Sequence, residues 1–241
     1  MMENKNQNNT NIPGEIETYI DNFLSIYSLD THARVLSYEQ IRKIFLEHRN
    51  DPSKRELITL HLYSYLASWG MLRNSFLLHK DYLFSKPVVD ILCDDKYDAL
   101  LNINWFEGLS NDNINLILDL STNIKSYYLG KTYFDSKKNE YLEIKGVSDT
   151  LVSKIILGTL GCLIAYDNYA KSALSKLNII QSINFKSINQ LNNIIVSNYA
   201  CIRNILNQFD NTIYTPMKIL DMYLFEKGYK IELDKKNYLK K

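Results

Sequence analysis

The chain has 241 residues, of which 46% are hydrophobic, enough to bury a substantial core. The 28 Lys and Arg residues balance the 27 Asp and Glu residues, so the net charge of +1 excludes a histone-like basic chain and an acidic solvating chain. High hydrophobicity with little net charge also excludes disorder of the whole chain. The low counts of 8 Gly and 4 Pro argue against collagen-like and turn-rich β architectures.

The N-terminal half has mainly helical periodicity. Residues 1–13 are polar and Asn-rich, which predicts a disordered tail without the apolar core of a signal peptide. Apolar residues then recur at helical spacing from Ile16, and Ser37 opens a second helix. The segment 55–78 is apolar on most sides, which predicts a long, central, buried helix. Further helices are predicted after Pro87 and over residues 97–105 and 111–128.

The C-terminal half contains one short stretch with a different period. Residues 133–141 alternate around a polar turn, which predicts a small β-hairpin. Helices are predicted over residues 150–162, 167–177, 187–208 and 215–227. We therefore expect a mostly α-helical fold with at most one small β-hairpin. It would be a single two-lobed domain over residues 14–229, followed by a basic tail over residues 230–241.

The cysteines and histidines do not suggest a metal site. Cys93, Cys162 and Cys201 lie far apart in the sequence with no Cys-x-x-Cys pair, so we expect core residues of a reduced protein. No metal and no cofactor are predicted. The longest apolar run is too short to cross a bilayer. We therefore expect a cytoplasmic monomer that does not contact a membrane.

The segment 145–169 has the features of a functional site. A tight turn at Gly146-Val147-Ser148 opens a helix, and free backbone N–H groups at a helix start suit a phosphate. The helix is predicted to end near Gly161. An apolar run then delivers Asp167 to the start of the next helix, where a carboxylate is either an N-cap or a placed catalytic group.

This segment resembles the helix-hairpin-helix DNA glycosylases, in which a Leu-Pro-Gly-Val-Gly hairpin grips the DNA backbone and a catalytic Asp follows the next helix. The resemblance places Gly146 and Val147 on the hairpin and Asp167 on the catalytic Asp. It implies a two-lobed helical bundle with a helix-hairpin-helix element. Lys145 and Ser148 replace the family's Pro and second Gly, and the Thr-His neighbours of the Asp are absent. A divergent member is therefore implied, and one such branch excises hypermodified phage bases in antiviral defence.

The resemblance also implies a mechanism and a partner. Bifunctional members attack the sugar with a Lys whose equivalent here is Thr150, and Lys154, one turn further, is expected to face elsewhere. A monofunctional enzyme is implied, which hydrolyses the N-glycosidic bond of a modified or damaged base flipped out of double-stranded DNA. Asp167 would stabilise the sugar cation or orient water. The residues implied to contact the DNA backbone are Gly146, Val147, Ser148, Thr150 and Lys154.

A base pocket is predicted from aromatic and basic residues. Trp69 and Arg73 lie four apart on the predicted central helix, hence on one helix face, where Trp69 could stack on a base and Arg73 could reach a phosphate or a base edge. Tyr166 directly precedes Asp167 and is a third candidate.

Each of these residues also has a purely structural interpretation. Asp167 suits an ordinary helix N-cap, Ser148 or Asp149 could cap the helix after the turn, and Trp69 at helical spacing suits a core. Two other functions therefore stay open. One is a non-catalytic helix-hairpin-helix DNA-binding protein, and the other is an all-α interaction or abortive-infection protein that does not bind nucleic acid.

Overall fold

The computed structural model of the protein describes residues 12–27 and 29–238. This part of the chain contains ten α-helices and one two-stranded antiparallel sheet. The prediction of a mostly α-helical fold with at most one small β-hairpin is confirmed. The predicted tail over residues 1–13 lies outside the described residues except for residues 12 and 13, with which the first helix begins. The division into two lobes stays a prediction.

The first half of the chain is helical. Its α-helices are α1 (Ile12–Tyr27), α2 (Leu36–His48), α3 (Arg55–Ser68), α4 (Lys86–Leu92) and α5 (Asn111–Tyr128). Short 3-10 segments lie between them at Pro52–Lys54, Phe76–His79, Tyr82–Ser85 and Asp95–Leu100. The Asp95–Leu100 segment takes the place of part of the α-helix predicted over residues 97–105.

The second half begins with the hairpin and continues with helices. Strands β1 (Thr132–Asp135) and β2 (Glu140–Glu143) pair with Phe134 opposite Tyr141, as predicted for residues 133–141. The helices that follow are α6 (Asp149–Thr159), α7 (Asn168–Lys176), α8 (Phe185–Ser197), α9 (Tyr199–Leu206) and α10 (Pro216–Tyr238). None of the helices within residues 12–27 and 29–238 has the length and apolar character that crossing a membrane requires.

The long helix predicted over residues 55–78 is wrong in its second half. Helix α3 ends at Ser68 because Gly70 has a positive φ of 73° and the Met71 N–H donates to the Leu66 carbonyl at 2.9 Å. This pattern of hydrogen bonds closes a helix around a left-handed glycine. Trp69 is therefore the C-cap residue that follows α3, and Arg73 lies in the turn beyond it. The two side chains do not share a helix face.

Two other boundaries differ from the sequence prediction. The helix predicted over residues 187–208 is two helices that meet at Asn198, whose φ of −119° interrupts the helical path. Helix α10 runs through Tyr238, so most of the predicted basic tail is helical, and residues 239–241 lie outside the described part. The lysines of this segment lie in the last turns of α10, a helix whose earlier turns are buried in the core.

The central helix of the fold is α6. Every residue from Leu151 to Thr159 is buried, and α2, α3 and α5 pack around it. The buried apolar residues of all ten helices form one continuous cluster. Because α6 is enclosed along its sides and at its end, the residues of this helix that reach the surface are Asp149 and Thr150, in its first turn.

Helices α7 and α10 cross closely, and this crossing positions Asp167, which precedes α7. A Cβ atom added at Gly228 of α10 would lie 1.8 Å from the Tyr169 carbonyl oxygen in the first turn of α7. Only glycine permits this approach of two helix backbones.

We predict that Gly228→Ala lowers the free energy of unfolding by about 1–3 kcal/mol, because the new methyl group forces α7 and α10 apart. Urea denaturation followed by circular dichroism measures this change. Gly146→Ala is the matched control, since a Cβ atom there has no neighbour within 4 Å. Equal stability of the two variants would contradict the close crossing.

All three cysteines are buried and none forms a disulfide with a described residue, which agrees with the core positions expected from the sequence. Burial raises the pKa of the Cys162 thiol to about 12 and that of the Cys93 thiol to about 11. Because the thiolate is the reactive form, we predict that Cys93 and Cys162 do not react with a disulfide reagent at pH 8 until urea unfolds the chain. Rapid labelling of either thiol in the native protein would contradict this packing.

Candidate active site

A short buried link delivers Asp167 to the protein surface. Helix α6 ends at Thr159, and Gly161, with a φ of 65°, turns the chain back alongside the helix. This agrees with the predicted end of the helix near Gly161. Residues 162–166 are buried, and Asp167 follows them in an extended conformation as the N-cap of α7.

Three side chains hold the backbone immediately before Asp167. The Thr150 hydroxyl donates to the Tyr166 carbonyl at 2.7 Å, and the Tyr166 N–H donates to Ser153 Oγ at 2.9 Å. From α10, Asp221 Oδ1 accepts the Ala165 N–H at 2.8 Å. Because these bonds come from α6 and α10, the position of Asp167 is fixed relative to both helices. Thr150, expected to contact DNA, instead uses its hydroxyl within the fold.

The Asp167 carboxylate has two partners. Its Oδ1 accepts the Ala170 N–H at 3.0 Å, which is the predicted N-cap interaction. Its Oδ2 lies 3.2 Å from Nζ of Lys154. The Asp167 side chain retains 17% of its exposure, whereas that of Lys154 retains 5%. The carboxylate therefore serves as a cap and also remains reachable from solvent.

The expectation that Lys154 faces away from Asp167 is wrong. One turn of α6 separates Lys154 from Thr150, and this places its ammonium group beside Asp167 and 4.9 Å from the ring centroid of Trp69. A second buried pair lies close by, in which Nζ of Lys218 is 2.8 Å from Asp221 Oδ2. Each charge of these two pairs thus has an opposite charge as a neighbour, which offsets the cost of its burial.

Trp69 is the aromatic centre of the site. Its ring lies 4.8 Å from the guanidinium carbon of Arg34 and meets the ring of Phe225 edge-on at 5.8 Å. Its buried Nε1 makes no hydrogen bond with any residue of the described part. Trp69 is half-buried, so it packs against the core and also contributes a surface to the site.

These groups line one groove, which we call the Asp167 cleft, with a volume of about 890 Å³. Five basic and two acidic side chains line it, so its charge is positive although the whole chain is nearly neutral. The residues that line the cleft are Arg34, Trp69, Met71, Arg73, Ser148, Thr150, Lys154, Asp167, Asn168, Tyr169, Lys171, Ser172, Gln181, Phe225, Glu232 and Lys236. Clefts of this size accommodate small molecules or a single nucleotide.

A smaller cavity lies behind the cleft and shares Trp69, Lys154 and Asp167 with it. Its volume of about 10 Å³ corresponds to roughly one water molecule. Lys218 and Asp221 line its far side. Two lysines and two aspartates therefore line this cavity together with apolar side chains, and two of the four, Lys154 and Asp167, also line the cleft.

The Gly146 turn flanks the cleft. Ser148 and Arg73 line both the cleft and an adjoining depression of about 360 Å³, which Lys145 and Gly146 also line. Ser148 Oγ accepts the Leu151 N–H at 3.2 Å and caps α6. Val147 is half-buried against the core. Within this turn, Lys145, Gly146 and Ser148 are therefore the exposed residues, and Ser148 lines the cleft itself.

Two features differ from what the resemblance implied. The turn is preceded by β2 and not by a helix, so the local element is strand–turn–helix, and α5 ends before the hairpin. Tyr166 is fully buried and its hydroxyl bonds to Ser187 Oγ at 2.8 Å, so its assignment to a base pocket is wrong. The next residue, Asp167, turns toward the cleft, while Tyr166 points into the core.

Two residues that contact Trp69 are not apparent from the sequence. Arg34 precedes α2 and Phe225 lies in α10, and both reach Trp69. Neither residue belongs to a local motif, because each is brought to the site by the packing of whole helices. Among the described residues, no group of three or more His, Cys, Asp and Glu side chains is arranged to hold a metal ion.

Comparisons of the chain with protein-family models, with curated proteins and with solved structures find no match. The helix-hairpin-helix resemblance therefore stays a prediction, and the geometry of the Asp167 cleft carries the functional argument.

We predict that Asp167→Ala lowers the free energy of unfolding by about 2–4 kcal/mol, since it removes an N-cap and leaves the buried Lys154 without its partner. Asp167→Asn should cost less, because the amide oxygen can still accept the Ala170 N–H. Urea denaturation of both variants gives the comparison. If the two substitutions cost the same, the cap has no energetic role and this geometry is contradicted.

Proposed function

We propose that the protein is a DNA glycosylase that hydrolyses the N-glycosidic bond of a modified or damaged base. The observation that carries this proposal is the position of Asp167, on the floor of a basic cleft that is lined by Trp69 and flanked by the Gly146 turn. Charge and shape both suit a nucleotide, with phosphate-binding cations at the rim and a carboxylate inside.

In the proposed reaction the target nucleotide leaves the base stack and enters the cleft. Trp69 supplies a ring face on which the base stacks. The guanidinium of Arg34, which lies next to this ring, would either stack on the opposite side of the base or move out of the cleft. Arg73 and Lys171, at the rim, suit the flanking phosphates. The exposed Gly146 lets a backbone approach closely.

Asp167 supplies the chemistry. As the bond to the base breaks, positive charge develops on the sugar, and a fixed carboxylate stabilises that charge or orients water onto C1′. Lys154 holds Oδ2 in place at 3.2 Å, so the carboxylate does not reorganise during the reaction. We propose hydrolysis rather than attack by an amine, because Lys154 is less exposed than Asp167 and is engaged by both Asp167 and Trp69.

A non-catalytic DNA-binding role is the second candidate, and the N-cap and ion-pair interactions of Asp167 favour it, since they give this residue a structural purpose. It predicts that Asp167→Asn binds duplex DNA normally and that no base is released by any variant. If the protein were an interaction protein that does not bind nucleic acid, we would expect other helices to cover Asp167. Asp167 instead lines the open cleft, so this alternative has no support from the cleft.

The proposal is tested with duplexes that carry damaged or hypermodified bases, treated with alkali to break abasic sites. We predict base release that Asp167→Asn reduces by about 10²–10³-fold, the usual effect of removing a transition-state charge partner. Asp98→Asn is the matched control, since this aspartate pairs with Arg49 away from the cleft. If no base is released from any of these duplexes, or if Asp167→Asn releases the base as fast as the unaltered protein, the proposal is refuted.

The same assay separates hydrolysis from amine attack. Hydrolysis predicts intact strands with abasic sites before alkali, and no covalent protein–DNA adduct after borohydride treatment. An adduct that Lys154→Met abolishes would show that the amine attacks the sugar, and our assignment of Lys154 as a positioning residue would then be wrong.

A further inference from the structure

A second groove lies at the other end of α6, away from the Asp167 cleft. Its volume is about 660 Å³. Arg42, which lines it, donates a hydrogen bond to the carbonyl of Thr159, the last residue of α6, and Thr215 Oγ1 donates to the Gly161 carbonyl at 2.6 Å. The Asp167 cleft, in contrast, is lined by Ser148 and Thr150 at the start of α6. We call this second site the Arg42 groove.

Arg42 is a buried cation without a countercharge. Its side chain is only 4% exposed, and its Nε makes no hydrogen bond with a described residue. It forms no ion pair with any carboxylate in residues 12–27 and 29–238, whereas the buried Arg49 pairs with Asp98. The end of α6 supplies only a partial negative charge of about one half. Burial of the uncompensated guanidinium lowers the pKa of Arg42, yet an arginine remains charged.

The surroundings add positive charge to the groove. Arg203 of α9 is exposed and lines it, and α10 begins at its edge with Thr215 as the residue before Pro216. Thr215 Oγ1 accepts the Lys218 N–H at 3.1 Å, which caps the helix. None of the residues that line the groove is acidic. Two guanidinium groups beside a helix N-terminus suit a doubly charged anion such as a phosphate.

Aromatic and apolar side chains also line the groove. Trp105 is half-buried there, and Tyr199, Leu101 and Ile103 line it as well. A planar ring could stack on Trp105 while an attached phosphate meets the arginines. The polar side chains of Asn207 and Asn211 lie along the rim. The groove thus combines an anion site with a stacking surface in a volume typical of small-ligand pockets.

We propose that the Arg42 groove binds a nucleoside monophosphate, with its phosphate on Arg42 and Arg203 and its base on Trp105. This site uses none of the residues that line the Asp167 cleft, so it does not depend on the proposed glycosylase chemistry.

The two tryptophans of the chain allow a direct test. Trp69→Phe leaves Trp105 as the single tryptophan, so its fluorescence reports on the Arg42 groove alone. We expect the fluorescence of Trp105 to change saturably when one or more of AMP, GMP, CMP and UMP is added. The corresponding nucleosides and ribose 5-phosphate should bind at least about tenfold more weakly, since each lacks one half of the ligand. Inorganic phosphate that binds as tightly as the nucleotides would overturn the proposed ligand class.

Variants of the groove complete the test. In the Trp69→Phe background, Arg203→Ala changes an exposed side chain and should fold normally, while weakening nucleotide binding at least about tenfold. Arg42→Lys keeps the charge but loses the planar donor set, and it should weaken binding as well. Lys171→Ala, in the Asp167 cleft, is the control and should leave the affinity unchanged. No saturable change with any nucleotide, or equal affinity in Arg203→Ala, would refute the proposal.

Discussion

The ion pair between Lys154 and Asp167 is the interaction on which the site depends. A buried pair of charges is favourable only when each oxygen and each ammonium hydrogen finds a partner, because desolvation is costly. Here Oδ1 of Asp167 accepts the Ala170 N–H in the first turn of α7, and Oδ2 pairs with the ammonium group of Lys154. The same ammonium group lies against the Trp69 ring. The pair therefore joins α6, α7 and the end of α3 at one point, and it fixes a carboxylate there that solvent still reaches.

The enclosure of α6 explains why polar groups gather where they do. A helix that is buried along its sides still has free N–H groups at its start and free carbonyl groups at its end. At the start, Ser148 caps the helix and the Asp167 cleft opens beside it. At the end, Arg42 binds the Thr159 carbonyl and the Arg42 groove opens. Both proposed sites thus follow from burying one short helix in the middle of a helical protein.

The sequence predicted correctly those features that depend on interactions between residues close together in the chain. Helical periodicity, the cap at Asp167 and the turn at Gly161 depend on neighbouring residues, and they agree with the structure. Gly70 ends α3 through a positive φ that periodicity alone does not reveal, so Trp69 and Arg73 reach the cleft from a turn. The rotation of α6 that aims Lys154 at Asp167, and the approach of Arg34 from the turn before α2, depend on packing across the whole chain.

The most direct measurement compares the affinities for two duplexes that differ at one sugar analogue. One carries a neutral tetrahydrofuran ring at an abasic position, and the other carries a cationic pyrrolidine ring that mimics the charge formed when the base leaves. If Asp167 stabilises that charge, the cationic duplex binds more tightly by about 10²-fold or more, and Asp167→Asn abolishes the preference. Equal affinity for the two duplexes, or a preference that survives in Asp167→Asn, would contradict the account.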